Sequence, residues 1–399
     1  METVDFSIFD HGPEAIGLMK SVLADFERDR QIHVNLEVIP WQDAWTRLVH
    51  IALYNDGPDV SEVGSTWVRD MVTMNALRPF PAAEIEALGG EENFLPASWQ
   101  SASAPRDLLP EGTVSWAVPW LADTRLIYYR KDLLAAVGQD ARDVFPGQAE
   151  LDDCLQALQD EEVDIPLSLP TRRSRIILHI LAGWIWAAGA DFLSPDGQKA
   201  IFDSPEALAG MEGFFRLGRF LVPEARRLDE GQSDALFWQG RAAVTISGPW
   251  MFNYPSVAPA VKEQFAAAVP PGVPFVGGFH LAVWKHTRRE KAVRQLVETL
   301  AGSQPPETLF PAFALPARTD VLARERFAGH PGYRVMSAAM RSGRSFPASR
   351  VWGMIENRLF DALPAIWEQV LATPEPDIRA ILASRIGGLA QRINLTLGS

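Results

Sequence analysis

The chain has 399 residues, 47% of them apolar, enough to bury a sizeable core and to build two lobes. Its 37 basic against 50 acidic residues leave a formal charge of −13, which argues against a nucleic-acid backbone as partner. One cysteine, Cys154, excludes an intramolecular disulfide and a thiolate metal site.

"VDFSIF" (4–9) predicts a first strand turned by "HGP", and the i, i+3, i+4 spacing of Ile16, Met19, Val22, Leu23 and Phe26 predicts a helix after it. "IHVNLEVIP" (32–40) alternates as a half-buried strand, "QDAWTRLVHIALYND" is a second helix, "PDVSEVG" (58–64) a third strand and "STWVRDMVTMNALRPF" a third helix. Such a β-α run implies a largely parallel sheet, whose ligands sit outside the strands' carboxyl ends. Residues 81–116 are loop-rich. "AVPWLADTRLIYYRKDL" (117–133) is strand-like but interrupted by Asp123 and Arg125. Helices follow at 131–138 and 149–160, then a strand at 165–171 and the apolar run "IILHILAGWIWAAGA". That run covers 176–190, short of the roughly 20 residues a membrane span needs, and reads as a buried helix. Ser204 is an N-cap with Pro205 at the first helical position. "RAAVTISGPWMF" (241–252) reads as strand, Gly-Pro turn and helix, "FVGGFHLAVW" (275–284) as a strand, and 288–399 as mostly helical.

No catalytic or phosphate-binding signature stands out. The glycine pairs at 89–90, 277–278 and 387–388 lack the residues of a phosphate loop. The seven histidines include no pair at zinc-ligand spacing beside a catalytic glutamate, and there is no Gly-x-Ser-x-Gly elbow. The distinctive feature is aromatic: thirteen tryptophans, of which Trp41, Trp67, Trp120 and Trp250 fall at predicted strand-to-helix turns. An indole offers a flat apolar face and one donor, suited to the C–H face of a sugar, and carboxylates or arginines beside it bind hydroxyls. The competing reading is core packing, which the patterns favour for Trp45, Trp184, Trp186, Trp284 and Trp367.

Five ordered stretches carry a resemblance. "FERDRQIHVNLEVIPWQDAWTRLVHIALYNDGPDVSEVGSTWVRDMVTMNALRPF" resembles the N-terminal lobe of family 1 extracellular solute-binding proteins, the maltose-binding-protein-like carbohydrate receptors of ABC importers. "VPWLADTRLIYYRKDLL" resembles their first interlobe crossing. "DGQKAIFDSPEALAGMEGF", "FWQGRAAVTISGPWMF" and "PFVGGFHLAVWKHTRREKAV" resemble later segments, so the likeness covers most of residues 5–320. The resemblance implies an α/β, two-lobed type II periplasmic-binding-protein fold, each lobe a mostly parallel sheet flanked by helices, with hinge closure on the ligand. The lobes expected from it are 1–121 with 281–322 and 124–278 with 323–399, crossing near 120–126 and 277–283.

By position the resemblance nominates Asp123 as an acid on sugar hydroxyls and Trp250 as the C-lobe stacking ring. It places Gly278 and Phe279 at the second crossing, His11 and Gly12 after the first strand, Thr66 and Trp67 after the third, and Thr171 and Arg172 after the "PLSLP" strand. Trp41, Trp352 and Arg350 complete the candidate ligand set. Structural alternatives stand beside these roles. Asp123 would pair with Arg125 or cap a turn, His11 would be a solvated loop residue, Arg172 would neutralise nearby acids, and Gly277–Gly278 would be a hinge bulge.

The expected function is therefore the substrate-binding component of an ABC sugar importer, with no catalysis, cofactor or metal. It would bind a mono- to oligosaccharide, or another polar solute such as glycerol-3-phosphate, as a monomer that docks on a membrane permease. A glycoside-active enzyme with a tryptophan-lined cleft and a ligand-presenting sensor are the other classes. "METVDFSIFDHG" lacks a secretory signal, so an extracytoplasmic location is an expectation from the resemblance alone.

Overall fold

The computed structural model describes residues 2–139, 145–254, 257–310, 314–347, 349 and 351–397. The described strands, in chain order, are β1 (Glu2–Phe9), β2 (Ile32–Ile39), β3 (Val60–Gly64), β4 (Phe80–Pro81), β5 (Thr113–Ser115), β6 (Val118–Thr124), β7 (Leu126–Arg130), β8 (Ile165–Ser168), β9 (Ala242–Ser247), β10 (Phe265–Ala268), β11 (Val276–Val283) and β12 (Leu315–Pro316). The chain forms two compact units. The first is Met1–Asp123, Val276–Arg341 and Ala348–Arg350, and the second is Thr124–Phe275, Ser342–Pro347 and Val351–Ser399.

Two boundaries differ from the sequence reading. Residues 323–341 group with the first unit, because Phe327 packs edge-on against Phe310 at 6.0 Å and Arg326 donates to the Phe310 carbonyl. The start of β11 also belongs there, since Phe279 and His280 pair with Gly64 and Val63 of β3.

In the first unit the sheet order is β12-β6-β11-β3-β1-β2. β1 runs parallel to β2, from Glu2 against Ile32 to Phe9 against Ile39, and parallel to β3. β11 runs antiparallel to β3 and β12 antiparallel to β6, so the sheet is mixed where a mostly parallel one was expected. The reason is the return of the chain: β11 enters from the opposite direction and lays Phe279 beside Gly64, at the carboxyl edge of β3. The helix Pro13–Arg30 buries Ala15, Met19, Val22, Leu23 and Phe26 on one face. The third predicted helix is short, Val68–Thr73, and the chain turns at Asn75, which adopts a left-handed φ of 55°.

The second unit's sheet, β10-β7-β9-β8, is also mixed, with β8 parallel to β9 and the other pairs antiparallel. Register places the carboxyl ends of β8 and β9 and the amino end of β7 at one edge. The apolar run forms the helix Arg175–Ala187, capped by the Ser174 hydroxyl on the Ile176 amide. It packs against Pro205–Phe215 closely enough that a Cβ on Gly210 would lie 2.5 Å from the Trp184 carbonyl oxygen. Ser204 caps that second helix through the Ala207 amide, as its position predicts. The helix expected after β9 is a short 3-10 helix, Pro249–Asn253. Among the described residues no helix is long and apolar enough to cross a membrane.

Gly278 is a backbone requirement. Its φ is +122°, and a Cβ there would approach the Leu121 carbonyl oxygen to 2.2 Å. Both the left-handed conformation and the close approach to β6 demand glycine. Gly278→Ala should therefore cost at least about 2 kcal/mol of stability. Thermal denaturation of the variant should show a clear loss, and a melting midpoint unchanged from wild type would contradict this assignment.

Candidate functional site

At the carboxyl edge of the first unit's sheet, an aromatic cluster gathers from three segments. β1 supplies Phe9 and the following loop His11, the turn after β2 supplies Trp41, and β11 supplies Phe279. Trp41 rests on Phe9 at a centroid distance of 4.8 Å and lies 5.7 Å from Phe279. The His11 imidazole stands edge-on to both, 5.6 Å from Trp41 and 5.3 Å from Phe279. Trp41 is nevertheless 46% exposed, so its ring is supported from beneath and open to solvent.

The cluster is anchored by Glu62, a fully buried carboxylate in β3. Its Oε2 accepts the Phe9 amide at 2.8 Å, and its Oε1 accepts from His11 Nε2 at 2.8 Å. His11 is thus tied to a buried acid and is not the solvated loop residue that was its alternative. Gly12 lies beside it with a φ of +92°, its amide bonded to Asp10, and opens the first helix. On the other face of β11, His280 is buried and bonded to Ser101, and burial pushes its pKa down to about 3.

Trp67 is a core residue. It is 9% exposed and packs edge-on against Phe9 and Trp45, within the cluster that includes Leu48, Ile51 and Met71. Thr66, beside it in the turn, is half-buried. Trp120 lies inside β6 and is buried, so it is no turn residue. Asp123 is the first unit's last residue before the crossing, buried within β6.

In the second unit the corresponding edge holds Trp250, which follows β9. Its Nε1 donates to Asp234 Oδ2 at 2.7 Å, and the Arg125 guanidinium lies 5.2 Å from its ring centre. Arg125 also lies over Phe275 and donates to His179 Nδ1 at 2.8 Å. His179 stacks on Phe275 at 4.2 Å, and its burial, with Arg125 and Arg175 nearby, holds it neutral. Asp234 is only 3% exposed. Burial raises its pKa from the ordinary 3.8 to about 7, with Glu230 adding to the rise and Trp250, Ser247 and Arg125 opposing it.

The remaining candidates separate by environment. Thr171 is buried and uses its hydroxyl to accept the Arg227 amide, a loop-fixing role. Arg172 is exposed on the same loop. Trp352 is 2% exposed and stacked on Phe346 at 4.4 Å, which makes it a core ring and removes it as a platform. Arg350 lies outside the described residues. Glu62, Asp234 and Arg125 were not singled out as ligand or anchoring residues from sequence. Their only signal was a charge inside a strand or an apolar helical stretch. Among the described residues no three His, Cys, Asp or Glu side chains group to hold a metal ion.

Comparison with known proteins gives the family. The chain belongs to the bacterial extracellular solute-binding protein family, whose model matches residues 11–305. It is 21% identical over 347 residues to the diacetylchitobiose binding protein DasA of Streptomyces coelicolor, covering 84% of this chain and 77% of that one. Its fold is similar to that of an ABC transporter solute-binding protein from Thermotoga lettingae solved with α-D-tagatose, at TM-score 0.81 and 20% identity over the whole of both chains. It is likewise similar to the sugar-binding protein MalE of Xanthomonas citri, at TM-score 0.80 and 21% identity over 99% of this chain and 97% of that one. The fold is accordingly the two-lobed type II form.

Two outcomes follow. Glu62→Ala leaves the Phe9 amide and His11 without their buried acceptor and should lower stability by about 2–4 kcal/mol, read by chemical denaturation. Asp234 keeps its proton in the folded chain at pH values where the unfolded chain has lost it. Its contribution is therefore greatest below about pH 4, declines as pH rises towards 7 and is level above. Melting curves of Asp234→Asn should lack this component of decline, and parallel wild-type and variant profiles would contradict it.

Proposed function

We propose that this chain is the substrate-binding component of an ABC sugar importer, taking a mono- to oligosaccharide by stacking on exposed tryptophan. The observation that carries the reading is Trp41: an indole nearly half exposed at the carboxyl edge of β2, backed by Phe9 and held laterally by His11 and Phe279. Leaving so large an apolar face in water, on a rigid aromatic base, suits a ring-stacking contact. Trp250, held by its N–H edge, is the second candidate platform. Asp123 and Gly278 stand as the nominated crossing residues, and Thr66 and Gly12 as loop contributors.

The family match and the sugars bound by relatives support carbohydrate as the solute class. In this reading the chain performs no chemistry on its solute, acts outside the cytoplasmic membrane as a monomer, and hands its cargo to a permease. A second reading has one supporting observation. Arg172 and Arg227 are both exposed on loops joined where the Thr171 and Arg172 amides bond the Leu228 carbonyl, which would suit an anionic solute such as glycerol-3-phosphate.

The test is a thermal-shift and calorimetric panel of maltose, N,N′-diacetylchitobiose, tagatose, ribitol, mannitol and glycerol-3-phosphate. A solute at 100 times its Kd should stabilise the chain by about 2.7 kcal/mol. Trp41→Ala should weaken a stacked saccharide at least about tenfold. Saccharide binding unchanged in that variant would remove Trp41 from the site. Binding by glycerol-3-phosphate alone, lost in Arg172→Gln, would favour the second reading.

A further inference from the structure

In the second unit Trp250, a partly exposed indole, is held by two buried charged side chains. Trp250 follows β9 on a 3-10 turn, in a segment whose glycine, Gly248, leaves room for the ring: a Cβ there would meet the indole at 2.1 Å. The N–H edge of the ring is bonded to a carboxylate almost wholly removed from water, and a guanidinium lies over the ring. The core ring Trp186 of the same unit also has a carboxylate on its N–H, Asp191 at 3.2 Å, and a guanidinium over its face, Arg344 at 5.0 Å, but there the ring is buried and both charged side chains keep access to water. At Trp250 the order is reversed: the acid and the arginine are buried and the ring is not. A buried acid and a buried arginine are both costly. Spending them on a ring that is itself only half-buried points to a requirement on its orientation.

We propose that Asp234 and Arg125 are positioning residues for solute binding at Trp250: the carboxylate fixes the indole by its edge and the guanidinium covers one face, so that a sugar ring stacks on the opposite face. This rests on the reading of Trp250 as a solute platform. Arg125 is itself fixed, donating to His179 Nδ1 and to the Thr124 carbonyl and lying over Phe275 as well as Trp250. His179, stacked on Phe275 and kept neutral, presents a lone pair to it. The groups acting on Asp234 are Trp250 and Ser247, the Arg125 cation, which favours the ionised form, and Glu230, which opposes it. Tyr254 is affected in turn, its phenol raised by burial and by Asp234.

An ionised acceptor holds an N–H more strongly than a neutral carboxyl does. The Asp234 proton, lost near pH 7, therefore separates a loosely held ring from a firmly held one. A residue that only filled space would not transmit this proton to the solute.

The experiment follows the Trp250 indole N–H resonance, identified by its loss in Trp250→Phe, from pH 5.5 to 8.5 without solute. It then measures the affinities of maltose and N,N′-diacetylchitobiose over the same range. In wild type the resonance should move with one midpoint near 7, and affinity should rise about three- to tenfold from pH 6 to 8. Asp234→Asn should abolish both dependences. Arg125→Met should weaken binding throughout, and Arg125→Lys should recover part of it. A resonance that does not titrate in wild type, or that titrates equally in Asp234→Asn, overturns the proposal. Failure of the platform reading looks different: Trp250→Ala then binds both sugars as tightly as wild type. If Trp250→Ala loses affinity while Asp234→Asn and Arg125→Met keep the wild-type affinity and profile, only the positioning roles fall. If wild type binds neither sugar at any pH, the proposal falls for these solutes together with the platform reading, whatever the indole titration shows.

Discussion

The aromatic cluster at the first unit's sheet edge depends on a carboxylate with no access to water. Glu62 tolerates burial because both of its oxygens are engaged, one by the Phe9 amide and one by the His11 imidazole. Those two bonds do more than compensate a charge. They fasten the end of β1 to β3 and orient the imidazole whose edge supports Trp41 and Phe279. The parallel register of β1, β2 and β3 brings the loops to one edge, and Glu62 then fixes what those loops present there. Rigid support of this kind matters because a ring that must be ordered on binding loses part of the affinity it contributes.

The second unit meets the same need by different means. Trp41 is braced by aromatic contacts and left open, whereas Trp250 is held by a hydrogen bond at its edge and a cation over its face. In the first arrangement the ring touches aromatic faces and the edge of an imidazole that is tied to a buried carboxylate. In the second the indole N–H meets a buried carboxyl whose pKa burial raises to about 7. Both rings lie just beyond the carboxyl end of a strand, β2 for one and β9 for the other, where open α/β sheets characteristically bind ligands.

Much of this was legible in the sequence. Periodicity located β1, β2, β3, β8, β9 and β11 and the long helices, because alternation and i, i+3, i+4 spacing are local properties that tertiary packing here respects. The turn positions singled out Trp41 and Trp250, and the structure leaves both rings partly exposed. Trp67, Trp120 and Trp352 look alike in sequence, yet all three are packed as core. An aromatic residue at a turn or strand end reaches either solvent or core through a side-chain rotation, and the neighbours that decide come from distant segments. Phe9 and Trp45 claim Trp67, and Phe192 and Phe346 claim Trp352.

Sequence alone determined the β-α alternation and the abundance of tryptophan, which are written in composition and in the spacing of neighbours, and the two-lobed class followed from the resemblance of its ordered stretches to a known family. Tertiary structure alone decided sheet direction, anchoring and exposure. β11 joins β3 antiparallel from more than two hundred residues away, Glu62 and Asp234 find their partners across loops, and only then do Trp41 and Trp250 differ from the tryptophans buried beside them. The physical reason is range. Secondary structure is set by contacts a few residues apart, whereas pairing a buried charge and leaving a ring uncovered depend on what the remainder of the unit brings to that place.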